Sequence, residues 1–446
     1  MAYHPELVPE NTNFEYIGDE SALGSLQLTM LARSYEQIEQ GSLEDLFPSR
    51  NINERTIVVE QRVEGLAISP IVRMGVPAGN FAENARVQSR RFSPALIRED
   101  DFLDQGYINQ LRKAGTYNDQ YRPTDIIADR VQQMMNRRAR TLAFFRAQVL
   151  LGGINYYDPR TNQSLDVATN IPEHNYFHYN GVDTTLNALA AGANIPNTAY
   201  SVGPYTSTKV VKGRRDSMLF TDAQGRTGIP WSDPQADIVR ACRLIKQFLF
   251  KTNKNKFVEI VMNSDLYTLL HENVFIKAYS GSVGIFGNNT VDNSGGTQIS
   301  ELAPTGVRAP ANAVSFGPGG DLQAIAGLRI RIIDGLFRHP ETNTITNYWP
   351  GHKVALVAPR HYQDSSSSLG FTHHCVAESP EGTPGLWMRS GPEQQPPSPP
   401  GRTMQMGDAF LPFAVYPHWI SILDVCEPNH ISQNLIINQM EHFGTF

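Results

Sequence analysis

The 446 residues suffice for roughly two or three packed units, and a composition of 40% hydrophobic and 18% charged residues excludes a disordered chain. A net charge of −6 excludes a dedicated nucleic-acid binder, which needs an excess of Lys and Arg on one face, but leaves local patches open. The three cysteines, Cys242, Cys375 and Cys426, are far apart and odd in number, so they indicate neither a disulfide framework nor a zinc ribbon and fit a reducing cytoplasm.

The N-terminal stretch carries Glu6, Glu10 and Glu15 and no basic, apolar signal region, so export is not expected. Residues 1–53 read as an arm: a polar lead, then a helix over Ala22–Gln40 with Leu23, Leu26, Met30, Leu31, Tyr35 and Ile38 near one face, closed by Gly41. The arm has too little surrounding sequence for its own core, so its apolar face is expected to dock on the main body or a neighbouring subunit.

From 54 to 98 the pattern becomes extended: Thr56-Ile57-Val58-Val59, Leu66 to Val72, and a return from Arg86 to Ile97. Pro70, Pro77 and Pro94 exclude a central helix, and Gly75, Gly79 and Asn80 mark the turn. A long two-stranded hairpin follows, and such a ribbon needs a partner surface. Its Arg73, Arg86, Arg90, Arg91 and Arg98 either pair with acidic groups on that partner or keep the loop soluble. Asp100-Asp101 fall at the junction with the next helix, where turn or capping roles are expected.

Residues 124–151 read as one helix within a unit spanning 99–172. Thr124 behind Pro123 is the expected N-cap, Asp125 and Asp129 suit the first turns, and Gly152-Gly153 ends the run. Ile127, Val131, Met134, Leu142, Phe145 and Val149 form the apolar stripe, widened by Ile126 and Met135, while Arg130, Arg137, Arg138 and Arg140 fill much of the remainder. At a rise of about 1.5 Å per residue this is a rod roughly 40 Å long.

Ile154–Ala168 reads as a short hairpin, and the loop-rich stretch 173–227 as an insertion. Trp231-Ser232-Asp233-Pro234 then leads into a helix over Gln235–Lys251, a strand over Lys256–Met262 and a helix from Ser264, its expected N-cap, to Glu272. Residues 280–320 are rich in Gly, Asn and Pro and read as surface loops. A strand over Leu328–Ile333 turns through Pro340–Asn343 and returns at His352–Val357. Glu393–Gly401, with Pro396, Pro397, Pro399 and Pro400, reads as a stiff connector. The apolar tract Phe410–Leu423 is broken by Pro412 and Pro417 and is too short to span a bilayer, so no membrane partner is expected. A strand over Ile420–Val425 precedes a tail, 428–446, whose Leu435, Ile436, Ile437, Met440 and Phe443 would be an aggregation liability in water.

No active site assembles from these residues. His373-His374-Cys375 with His361 suits zinc or copper in ligand type, but adjacent residues chelate one ion poorly and no clear fourth ligand is in view. Gly281, Gly284 and Gly287 lack the Lys-Ser or Lys-Thr of a P-loop, and Pro318 removes a donor from Gly317-Pro318-Gly319-Gly320. There is no Gly-x-Ser-x-Gly and no His-Glu-x-x-His. The expectation is therefore no enzyme, no cofactor and no metal.

The order of elements resembles the major capsid protein of lambda-like tailed bacteriophages, the phage capsid protein E family. The residues that carry the resemblance are Thr56-Ile57-Val58-Val59, Ser69-Pro70-Ile71-Val72, Phe92-Ser93-Pro94, Arg137-Arg138, Trp231-Ser232-Asp233-Pro234 and Phe275-Ile276-Lys277. Further on come Arg331 to Gly335, Trp349 to Val354, Leu369-Gly370-Phe371, Gly407-Asp408 and Leu411-Pro412. What the resemblance implies is an α+β protein of the Hong Kong 97-type capsid fold. It would have an N-terminal arm (1–53), an extended E-loop hairpin (54–98), a peripheral domain (99–172) with the spine helix, and the insertion (173–227). An axial domain (228–410), a strand returning to the peripheral domain (411–427) and a C-terminal tail (428–446) would follow.

It further implies a subunit that assembles with itself into pentamers and hexamers of an icosahedral head around double-stranded DNA, held without sequence specificity. Portal, scaffolding and decoration proteins are the other expected partners, and the location is the virion, with the host cytoplasm during assembly. The hairpin arginines and the apolar tail residues named above are the expected assembly interface. The alternatives are an encapsulin-like compartment of the same fold and, from another class, an α/β hydrolase or metal enzyme.

Some members of that fold join their subunits by an isopeptide bond from a hairpin lysine to a neighbour's asparagine. Residues 1–112 of this chain contain no lysine, the first being Lys113, and the guanidinium of arginine cannot replace an amine nucleophile. The shell is therefore expected to be non-covalent: mature particles boiled in detergent run as one band near 49.7 kDa. A reductant-resistant ladder of pentamers and hexamers would contradict this.

Overall fold

The computed structural model describes residues 32, 43–63, 86–104, 123–158, 163–179, 219–222, 224–277, 314–316, 321–338, 345–364, 366–376, 382–394 and 401–426. In chain order the strands before the first long helix are β1 (Ser49–Ile52), β2 (Ile57–Val63), β3 (Arg86–Phe92) and β4 (Ala95–Asp104). Helix α1 (Pro123–Leu150) is followed by β5 (Gly153–Asp158), β6 (Gln163–Ala168), β7 (Tyr176–His178), α2 (Ile238–Asn253), β8 (Glu259–Met262) and α3 (Ser264–Glu272). Then come β9 (Val314–Phe316), β10 (Leu322–Ile325), β11 (Leu328–Ile332), β12 (Leu336–Arg338), β13 (Ile345–Asn347) and β14 (Lys353–Val357). The chain ends its described part with β15 (Gly370–Cys375), β16 (Trp387–Gln394), β17 (Gly401–Ala414) and β18 (Ile420–Asp424). The α+β class is as expected. The arm helix, apart from Ala32, the loops over 280–313 and the tail fall outside the described residues.

Two compact units divide the chain: residues 1–60, 89–146 and 371–413, and residues 61–88, 147–370 and 414–446. In the first, a five-stranded sheet runs β1-β15-β17-β16, and β4 also pairs with β17. The antiparallel register from Gly401↔Asp104 to Phe410↔Ala95 joins β17 to the whole of β4. Helix α1 buries Ile127, Val131, Met134, Met135, Phe144 and Phe145, and Phe145 meets Phe410 of β17 at 5.9 Å between ring centroids. Arg138 was expected on the polar side, yet it lies four residues after Met134 and seven after Val131, within the apolar stripe. It can be there because Asp408 of β17, which exposes no surface, accepts from its Nε at 2.7 Å and its Nη2 at 2.6 Å. His374 Nδ1 lies 3.2 Å from the other carboxylate oxygen. Burial pushes the Asp408 carboxyl up, but the Arg138 charge and the hydrogen bonds from His374 and Arg138 reverse this and hold it below the ordinary range.

A second buried arginine, Arg146, bonds Thr372 Oγ1 at 3.1 Å and Ser49 Oγ at 3.4 Å, and burial lowers its pKa to about 10. Thr372 Oγ1 in turn donates to the Phe47 carbonyl at 3.0 Å, beside the parallel β1–β15 register. On the sheet, a Cβ at Gly407 would come within 2.2 Å of the Trp387 ring, so only glycine lets this indole lie across β17.

The second unit holds a seven-stranded mixed sheet in the order β7-β18-β14-β8-β11-β10-β9. Its core gathers Ile238, Cys242, Ile245 and Leu249 of α2 with Ile260, Met262, Leu328, Val354, Leu356 and Leu423. Asp237 caps α2 by accepting the Arg240 N–H at 3.0 Å, and Lys254 ends it in the left-handed region at φ 55°. Gly152, at φ 110°, turns the chain from the end of α1 towards β5, a conformation that favours glycine.

Several sequence expectations are corrected. Asp100 and Asp101 lie in β4, not in a turn. Residues 173–179 supply a short 3-10 turn and β7, parallel to β18, so the proposed insertion begins with an element of the main sheet. Leu328–Ile332 and Lys353–Val357 do not pair with each other, because β8 lies between them. Residues 371–413 join β1, β4 and α1 in the first unit instead of continuing the 228–410 unit, while β18 belongs to the second unit's sheet instead of returning to the first. Asn263, not Ser264, caps α3, accepting the Leu266 N–H at 3.0 Å.

Removing one member of a buried ion pair strands the other charge, which costs about 3–5 kcal/mol, whereas exposed pairs contribute at most about 1 kcal/mol. Asp408→Ala is thus expected to lower the urea unfolding free energy by about 3–5 kcal/mol, and Arg98→Ala by under about 1 kcal/mol. Equal losses in the two variants would contradict the assigned role of Asp408.

Candidate assembly surfaces

Alternation along β4 divides its side chains between two faces. Glu99 and Asp101 turn towards α1: Glu99 takes Arg137 Nη2 at 2.8 Å, and Asp101 lies 3.7 Å from Arg130 Nε. Leu96, Arg98, Asp100 and Phe102 form the opposite stripe, all exposed. Leu96 and Phe102 are 39% and 38% exposed and flank the Arg98–Asp100 contact at 3.6 Å. Among the described residues β4 pairs only with β17, so its other edge carries no strand. Two apolar groups around a charged pair suit a removable contact, and the charges discourage indiscriminate strand addition.

The expected hairpin is present at its base, where β2 and β3 form a separate two-stranded sheet. Ile57 is buried, while Val58 is 42% exposed. Of the expected interface residues, Arg91 is exposed at the end of β3. Arg98 lies beyond the ribbon in β4, with Asp100 of its own chain as a partner. Arg86 and Arg90 belong to β3 with side chains outside the described set; Arg73, Leu435, Ile436, Ile437, Met440 and Phe443 lie outside the described residues altogether.

The histidine and cysteine motif does not converge on one point. His374 engages Asp408, whereas His373 sets its ring edge-on to Phe413 at 4.7 Å. Among the described residues no group of three His, Cys, Asp or Glu side chains could hold a metal. Asp408, quoted in the sequence only as part of the family resemblance, is given no role there; its other mark is a charge within the mostly apolar stretch Met404–Ala414.

Residues 27–188 match the family of phage major capsid protein E. The matched span takes in β2, β3, β4 and the whole of α1. No curated protein sequence matches significantly. Among solved structures the chain is similar to a protein assigned as the capsid protein of a prophage in E. coli CFT073, at 12% identity and TM-score 0.48, over 89% of this chain and 99% of that one. It is similar to the capsid of cyanophage P-SCSP1u at 12% identity and TM-score 0.40, over 86% and 88%. It is also similar to the SrpI encapsulin complex of Synechococcus elongatus PCC 7942 at 8% identity and TM-score 0.38, over 96% of both chains.

Burial sets the acid response of these units. His352, His373 and His418 each fall to about 4, chiefly through desolvation, with added repulsion from Lys353, Arg50 and His174 respectively. An unfolded histidine titrates near 6.5, so between about pH 6.5 and 4 the unfolded chain binds more protons than the folded one. Their contribution is complete above pH 6.5 and is lost as pH falls towards 4. The urea midpoint is therefore expected to drop between pH 7 and pH 4.5; a midpoint that holds or rises would contradict the neutral state of these histidines.

Proposed function

We propose that this chain is the major shell subunit of a tailed-phage head, of the Hong Kong 97-type fold, assembling into pentamers and hexamers around double-stranded DNA. The observation that carries the reading is the family match over residues 27–188, a span that includes the β2–β3 ribbon, β4 and the whole of α1. A two-stranded ribbon is marginal alone in water, and an adjacent subunit is the surface that completes it. The ribbon arginines Arg73, Arg86, Arg90 and Arg91, the exposed stripe of β4 and the apolar residues of the 428–446 tail supply heterologous contacts, each weak and many made at once.

In this reading the chain has no catalytic duty. Assembly takes place in the host cytoplasm with scaffolding and portal proteins, a decoration protein adds to the mature shell, and the final location is the virion. Negative-stain imaging of the full chain expressed with its scaffold tests this: closed shells, or capsomers and irregular particles without the scaffold, are expected. A compact monomer at high concentration would contradict it, and particles holding enzyme cargo instead of DNA would move the assignment to a protein compartment.

A further inference from the structure

Although the chain is net acidic, Ile238–Val258 contains Arg240, Arg243, Lys246, Lys251, Lys254 and Lys256 and no Asp or Glu. Helix α2 and the loop after it present the last three of these lysines as exposed side chains. Lys246 is committed elsewhere, donating to the Ala326 and Gly327 carbonyls at 3.2 and 3.3 Å.

A neighbouring loop completes the surface. Asn255, fully buried, donates to the Arg360 carbonyl at 3.2 Å and accepts the Tyr362 N–H at 3.1 Å, tying 360–362 to the lysine loop. Tyr362 is 44% exposed and Phe250 41%, with their rings 6.1 Å apart, and Lys256 Nζ lies 5.2 Å from the Tyr362 ring. Arg360 is exposed as well, and Asp364 is the one acid on that loop. Cations near a helix C-terminus favour its dipole, but that effect needs neither exposed aromatic rings nor an asparagine bracing two loops. Exposed cations on two segments tied together by Asn255, with two exposed rings beside them, suit phosphates and deoxyriboses.

We propose that Lys251, Lys254, Lys256, Arg360 and Tyr362 form a contact surface for the sugar–phosphate backbone of double-stranded DNA. The proposal rests on the shell reading above, which supplies a duplex to be held without base readout. Each lysine neutralising one phosphate adds about 0.9 to the slope of log affinity against log salt concentration.

The test uses full-length capsomers and a labelled DNA duplex, with fluorescence anisotropy read across a salt series. Replacing Lys251, Lys254 and Lys256 together by Gln is expected to weaken binding roughly tenfold or more at low salt and to reduce the slope by about 2.7. The matching triple replacement by Arg keeps the charge and is expected to keep the slope. An unchanged slope in the Gln variant, or an equal loss in the Arg variant, would overturn the proposal. So would an equal loss of binding to polyglutamate, which would assign the surface to an acidic protein. Imaging the same preparations separates the two levels: shells that form while the Gln variant leaves the slope unchanged sink this surface alone, whereas a chain that forms no particles sinks the shell reading and this proposal with it.

Discussion

Asp408 has no exposed surface, and a carboxylate in that position keeps its charge only while a cation is beside it. Arg138 supplies that cation from the middle of α1, with two nitrogens on one carboxylate oxygen and His374 on the other. Helix and central strand are thereby fixed in one mutual register, because sliding either by a single residue would strand two charges in an apolar layer. The partly exposed pairs Arg137–Glu99 and Arg130–Asp101 repeat the arrangement along β4, where water screens them and each contributes little. Burial therefore concentrates the specificity of the helix seat in one pair, and the flanking pairs extend it at lower cost.

A seat of that kind suits a subunit that must bear load through contacts outside itself. Among the described residues of the first unit, Arg138 pairs with Asp408, Arg146 with Thr372 and Ser49, and Arg98 with Asp100. The β2–β3 ribbon, by contrast, forms a sheet of two strands, separate from both larger sheets. In the proposed shell, interfaces built from this ribbon and the half-exposed face of β4 would be individually weak, and closed symmetry would let such contacts add without fusing.

The elements with strong local signals were legible in the sequence. The 3.6-residue recurrence from Ile127 to Phe145 placed α1 within a residue at each end, and the alternation of Leu328–Ile332 and the apolar run of Lys353–Val357 marked two strands of the main sheet. What could not be read was pairing between distant segments. Glu393–Gly401 read as a stiff connector, yet Glu393 and Gln394 end β16, Gly401 begins β17, and the two strands pair with each other. The strand β7 is three residues long and carries no pattern of its own; only its parallel partner β18 makes it a strand. The same limit hid the burial of Arg138, since nothing near it in sequence announces Asp408, 270 residues further on.

The shell reading requires that the ribbon gain protection from a neighbour instead of from its own chain. Hydrogen–deuterium exchange, compared between assembled particles and dissociated subunits, measures this residue by residue. The expected result is slowed exchange at Ile57–Val63 and Arg86–Phe92 on assembly, with the amides of α1 and β17 protected alike in both states. Ribbon amides that exchange equally in particle and free subunit would contradict the claim that assembly completes this chain.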